Sequence, residues 1–177
     1  CGHNHREGNQ DLRATNRVVV VGVASNFRRA KNIKKSLRKM RLLLGQLEIS
    51  QLTKSADFSG KGAFYWNVVV KFKSRLPIKA IKTLMKGIES SCGRHKQSKD
   101  LGCVSMDLDL LLREDASSEK FCLLDRSLPD NLPLVSALTE LISLQELLSV
   151  DPLLERSLKN LTRERFSSLK IKWDSIL

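Results

Sequence analysis

The sequence predicts an α+β fold, a ferredoxin-like βαββαβ sandwich with a C-terminal helical extension. Runs of β-branched and aromatic residues alternate with two stretches whose apolar residues recur every three to four positions. Glycine, proline, serine and asparagine punctuate the boundaries between those runs. The chain has 177 residues, 41% of them hydrophobic, which is enough apolar chain to bury a core and excludes a wholly disordered protein.

Residues 1–16 are polar and without apolar periodicity, and predict a flexible tail. Residues 17–177 are expected to form a single domain, with the βαββαβ core in 17–112 and a loop and helices in 113–177. Val18–Val23 is a β-branched run with the composition of a buried strand. A helix follows, with Ala30, Ile33, Leu37, Met40 and Leu44 on one face, Asn26 as its expected cap and Gly45 as its stop. A second strand is expected over Leu47–Lys54, then a loop over Ser55–Gly62. In the third strand, Ala63–Lys73, alternation sends Phe64, Trp66, Val68, Val70 and Phe72 to one face and Tyr65, Asn67, Val69, Lys71 and Lys73 to the other. A second helix runs from Pro77 to Gly93, striped by Ile78, Ile81, Met85, Ile88 and Cys92, and a fourth strand fits Val104–Leu112. Residues 134–150 and 151–169 predict two leucine-rich helices parted at Asp151-Pro152.

The formal charge is +12, from 31 basic and 19 acidic side chains, and it is unevenly spread. Residues 17–100 hold 20 bases and 4 acids, and eight of the fourteen residues from Arg28 to Arg41 are basic. Such a block expects an anionic partner, or forms a solvated lysine-rich face. No apolar run approaches the ~20 residues that span a bilayer, so no membrane partner is expected. The four cysteines lack zinc-type spacing and predict a reducing, cytoplasmic setting.

The candidate chemistry concentrates in a few places. Alternation puts Asp107 and Asp109 on one face of the fourth strand, roughly 7 Å apart, with Met106, Leu108 and Leu110 facing the core. Two such carboxylates repel unless a cation lies between them, and beside a phosphate ligand that cation is Mg²⁺; an exposed strand with chance acids fits the spacing equally. Asn67 shares its face with Tyr65, an amide beside a ring that suits a flat heterocycle or simply a solvated surface. Glu89 sits at the margin of its helix's apolar stripe and needs a partner there. Arg94, His95, Lys96 and Lys99 make a basic loop leading into the Asp strand.

Taken together, these residues resemble the 6-hydroxymethyl-7,8-dihydropterin pyrophosphokinase family. The likeness runs through Ala24-Ser25-Asn26 after the first strand, Tyr65-Trp66-Asn67, Ile88-Glu89, Gly93-Arg94-His95-Lys96 and Met106-Asp107-Leu108-Asp109-Leu110, in the family's order. The resemblance implies Mg²⁺-dependent transfer of pyrophosphate from ATP to 6-hydroxymethyl-7,8-dihydropterin, in folate biosynthesis. It implies that Asp107 and Asp109 bind two Mg²⁺ ions, that these aspartates and Arg94 are catalytic, and that Glu89, Arg94 and Lys96 bind the nucleotide. Tyr65, Asn67 and Phe58 would hold the pterin, and the protein would act as a monomer. The sequence departs from the family where Gly102-Cys103-Val104-Ser105 replaces Gly-Pro-Arg-Thr, so a phosphate-clamping arginine gives way to Val104, which implies impaired turnover unless Arg126 folds inward to replace it. The alternative reading is a non-catalytic ferredoxin-like nucleic-acid-binding domain, for which Lys61-Gly62-Ala63-Phe64-Tyr65 is a faint signal.

Overall fold

A computed structural model describes residues 15–57, 60, 62–94, 101–161 and 168–177. The most hydrophobic run becomes the central strand. β1 (Arg17–Ser25) lies between β4 (Tyr65–Ser74) and β5 (Asp107–Glu114), antiparallel to both. β3 (Leu52–Ser55) extends the sheet beyond β4, and β6 (Phe121–Leu123) extends it beyond β5. With β7 (Ser168–Leu169) the order is β6-β5-β1-β4-β3-β7, and β2 (Glu48–Ile49) also pairs with β4.

Alternation along the strands produces two apolar layers. Val19, Val21 and Val23 of β1, with Val68, Val70 and Phe72 of β4, face α1 (Arg29–Leu44) and α2 (Ile78–Ser91). The expected stripes supply the cover: Ile33, Leu37 and Met40 from α1, and Ile81, Met85 and Ile88 from α2. On the opposite face, Val20, Val69, Leu111 and Leu112 are covered by α3 (Leu132–Leu138), α4 (Leu144–Leu148) and α5 (Pro152–Leu161). A register shift makes this possible. Val21 faces Leu110 while Val20 faces Leu112, so β5 carries one extra residue, and both Leu111 and Leu112 join the second layer.

Four expectations are corrected. Asn26 does not cap α1: Arg28 occupies the cap position with φ 45, and no side chain accepts a cap bond there. The strand expected over Leu47–Lys54 is split, because Ser50 bonds Val69 through both its N–H and its hydroxyl and so interrupts regular pairing. The fourth strand begins at Asp107 rather than Val104. The helix expected over residues 134–150 is broken, with α4 started afresh by a reciprocal Ser143–Glu146 capping box. The second C-terminal helix ends at Leu161 among the described residues.

Gly93 closes α2 at φ 81, a left-handed turn that glycine adopts without strain. The chain then reaches Arg94 beside the start of β5. Among the described residues no helix is long and apolar enough to cross a membrane, and Cys92, Cys103 and Cys122 are free thiols.

Candidate active site

Three strands converge at one end of the sheet, and their register sets the site. Asn67 lies opposite Ala24, and Ala24 opposite Asp107; one row further in, Val69 lies opposite Gly22, and Gly22 opposite Asp109. Directly opposed residues share a face, so both aspartates lie on the same face as Asn67. Two strand spacings put Asn67 and Asp107 roughly 10 Å apart, with only the methyl group of Ala24 between them. Leu134 of α3 reaches the sheet at Gly22, where an added Cβ would lie 3.4 Å from its side chain.

The entry to β5 is held by the residues that end β1. Asn26 donates its backbone N–H to Val104 O at 3.0 Å and its side-chain Nδ2 to Gly102 O at 2.8 Å, while its Oδ1 accepts from Val104 N–H at 2.6 Å. Ser25 Oγ donates to Ser105 O at 2.7 Å. The expected cap is therefore a clamp on a segment more than seventy residues away, and it fixes where Asp107 starts its strand. A third loop joins the same node. Gly62 donates its N–H to Asp57 Oδ2 at 2.6 Å. A Cβ at Gly62 would lie 2.7 Å from the Gly102 carbonyl, 2.9 Å from Asp57 Oδ2 and 3.0 Å from Asn26 Nδ2, so no side chain fits.

Beside this node, charges of both signs are packed together. Arg94 Nη1 donates to Glu89 Oε1 and to Asp107 Oδ1, each at 2.5 Å. Glu89 Oε1 also accepts the Leu108 N–H at 2.8 Å. That N–H points outward because β6 pairs with β5 only from Leu112 to Glu114, leaving the outer edge of β5 open before that. Burial raises the Glu89 carboxyl above its usual range, and the Leu108 N–H and Arg94 oppose the rise. The Asp109 carboxyl is pushed up to about 7 by desolvation, then by Asp107, Asp125 and Glu89, against Arg94. Asp109 is nevertheless exposed at the surface; it stands in a concavity where protein replaces much of its water while one side stays open.

That concavity is a cleft of about 510 Å³. α2 forms one wall with Lys82, Met85, Lys86 and Glu89; Asp107 to Leu110 of β5 form the floor, and Leu124 and Asp125 close the far side. Tyr65 is half-buried, its hydroxyl raised by burial and by the negative charges of Asp57 and Asp107. Asn67 departs from the expected solvated position: it is buried, and its Nδ2 donates to Ser55 Oγ at 2.8 Å and to Thr53 O at 3.4 Å. The fold thus brings Glu89, Arg94, Asp107 and Asp109 together, with Tyr65 within electrostatic reach and Asn67 in the neighbouring row. Phe58 and Lys96 lie outside the described residues. Arg126 is exposed and does not line the cleft, so it does not supply the cation that Val104 lacks.

Lys82, Lys86 and Asp125 were not singled out from the sequence. For the lysines a signal existed: positions 82, 86 and 89 follow the i, i+4, i+7 spacing of one helix face, the margin that Glu89 marks.

The site fits a magnesium–phosphate ligand better than a bare ion. Among the described residues no group of three or more His, Cys, Asp or Glu side chains is placed to hold a metal by itself. Mg²⁺ is commonly held by one or two carboxylates, with water and phosphate completing its shell. Two carboxylates whose charge is poorly compensated, one of them raised to about 7, suit that arrangement.

The family model described as 7,8-dihydro-6-hydroxymethylpterin-pyrophosphokinase (HPPK) matches residues 20–152, more than half of the chain. No curated protein matches it.

Proposed function

The chain belongs to the 7,8-dihydro-6-hydroxymethylpterin-pyrophosphokinase family, ATP-dependent transferases of folate biosynthesis, and from that premise we propose that its cleft carries out Mg²⁺-dependent pyrophosphate transfer with the residues gathered around Asp107. The observation that carries this reading is the strand register, which sets Asn67 and Asp107 in one row, roughly 10 Å apart across Ala24. A flat heterocycle over Tyr65 and Asn67 would direct its hydroxymethyl arm toward the carboxylate end of that row. ATP would lie in the cleft between α2 and β5, with its phosphates reaching the same end.

Asp107 and Asp109 would hold two Mg²⁺ ions, which supply charge neutralisation on the phosphate oxygens. The protein's own contribution is orientation. Glu89 fixes Arg94 and the edge of β5 together, and Asn26 fixes the segment entering that strand. With both substrates so placed, the hydroxymethyl oxygen bonds to the β-phosphorus of ATP as the bond from that phosphorus to the AMP oxygen breaks. Arg94 shares its guanidinium between Glu89 and Asp107 and would turn part of it to phosphate. Val104 gives its backbone to Asn26 and supplies no cation, so turnover would be slow, by about 10²–10⁵-fold if an arginine's whole contribution is lost.

The test is direct: incubate the protein with ATP, Mg²⁺ and 6-hydroxymethyl-7,8-dihydropterin and follow AMP. Slow AMP release that requires all three is the expected result. Absence of AMP together with absence of Mg²⁺-dependent ATP binding by calorimetry overturns the reading.

A further inference from the structure

We propose that Lys82 and Lys86 form a phosphate-holding wall that lets the cleft keep a nucleoside triphosphate and release a monophosphate; this rests on the reading of the cleft as a nucleotide site. Both lysines are exposed, both line the cleft, and neither has an ion-pair partner among the described residues. Arg94 is differently placed, since Glu89 and Asp107 already take its guanidinium at 2.5 Å each. The uncommitted positive charge of the cleft is therefore on α2.

Spacing decides what kind of anion this wall suits. Lys86 precedes Glu89 by three residues and Lys82 by seven, so the two side chains leave the helix roughly 4.5 and 10 Å from Glu89 along its axis. They lie one behind the other along the open edge of β5, with the carboxylates Asp107 and Asp109 beyond Glu89 at one end. Two like charges one turn apart repel each other and gain most from a ligand that answers both. An extended chain of phosphates does so, whereas a single phosphate placed against one lysine leaves the other unanswered. The reaction proposed above consumes a triphosphate and leaves AMP, so the same two side chains would favour substrate entry and weaken the hold on the nucleotide product.

The experiment is calorimetry in Mg²⁺ buffer with a non-transferable α,β-methylene ATP analogue, with AMP, and with 6-hydroxymethyl-7,8-dihydropterin. The wild type is compared with the double variant Lys82→Gln/Lys86→Gln, the double variant Lys82→Arg/Lys86→Arg, and Lys79→Gln, which alters a lysine of the same helix that does not line the cleft. The glutamine pair is expected to lose about 10- to 100-fold in affinity for the analogue, the range of a lost charge-assisted contact, while its affinity for AMP changes less than about threefold and for the pterin not at all. The arginine pair restores analogue binding, and Lys79→Gln leaves it unchanged. Undiminished analogue binding by the glutamine pair overturns the proposal, as does an equal loss for AMP and the analogue. If the wild type itself binds no nucleotide, the proposed function fails and this inference with it. If it binds and the glutamine pair binds equally well, only the lysine wall fails.

Discussion

α1 and α2 cover the same face of the sheet, both are rich in lysine, and both bury a three-residue apolar stripe, yet only one of them builds a cleft. On α1 the basic residues face solvent or tie down the chain's end, as where Arg41 meets Asp174 at 2.8 Å and Arg38 donates to the Ile176 carbonyl. On α2, Lys82, Lys86 and Glu89 turn toward β5, whose outer edge lacks a strand partner at that level. The difference lies in the neighbours: a charged side chain gains chemical use when an open strand edge and opposed charges face it. α1 contributes to the site through its lead-in, Ser25-Asn26, which clamps residues 102–105.

The comparison breaks most severely at the carboxylates that face α2. Asp107→Ala and Asp109→Ala should each lower AMP formation by about 10²–10³-fold, the scale of removing one electrostatic group from a reaction centre, with the far-ultraviolet circular dichroism of the fold retained. Next comes Gly62→Ala, which tests the lead-in of α1. Its methyl group meets the Gly102 carbonyl, which cannot yield without moving the segment that enters β5. Displacement of reacting groups by about 1 Å can lower a rate by about 10², so kcat should fall on that order while the melting temperature changes little. An unaltered kcat would show that the node does not govern Asp107.

Glu89 sharpens the comparison through stability. Glu89→Ala leaves the Leu108 N–H and part of Arg94 unanswered, and should destabilise the fold by about 1–3 kcal/mol. Glu89→Gln keeps an acceptor for Leu108 and should lose less, as measured by chemical denaturation. Asp109 gives the opposite sign. Its carboxyl titrates near 3.8 in the unfolded chain and at about 7 in the folded one, so between those values the unfolded chain releases the proton first. The ligand-free fold therefore loses stability as pH rises from 3.8 to about 7, and the loss is complete above that. Asp109→Asn should stabilise the ligand-free protein at pH 8 and leave it unchanged at pH 3, read as melting temperature against pH.

Much of this was legible in the sequence because the signals were local. The valines of β1 and the 3.6-residue stripes of α1 and α2 report burial directly, and Asp107-Leu108-Asp109 reports its own alternation. What escaped depended on distant partners. Asn26 before a helix reads as a cap, but its bonds go to Gly102 and Val104. Asn67 reads as solvated on alternation alone, and β3 buries it. The Ser143–Glu146 capping box lay in plain view as Ser-x-x-Glu, yet leucine continuity masked the break it makes. Lys82 and Lys86 were visible as charge, and only the open edge of β5 gives that charge a direction.

The smallest effect is expected where α1 differs most from α2. Lys31 and Lys34 lie on α1 in the most basic part of the chain, and neither has an ion-pair partner among the described residues. Like charges crowd that helix, so removing two of them relieves some repulsion and breaks no bond. Lys31→Gln/Lys34→Gln should therefore shift stability by no more than about 0.5 kcal/mol and leave kcat and both KM values unchanged. The same two substitutions bear on the +12 charge as a whole. If the α1 face held a nucleic acid, the double variant would weaken salt-sensitive binding to an oligonucleotide while pterin chemistry stayed intact. A kinetic change without such a loss would mean that the field of α1 reaches the cleft, and the division between the two helices would fail.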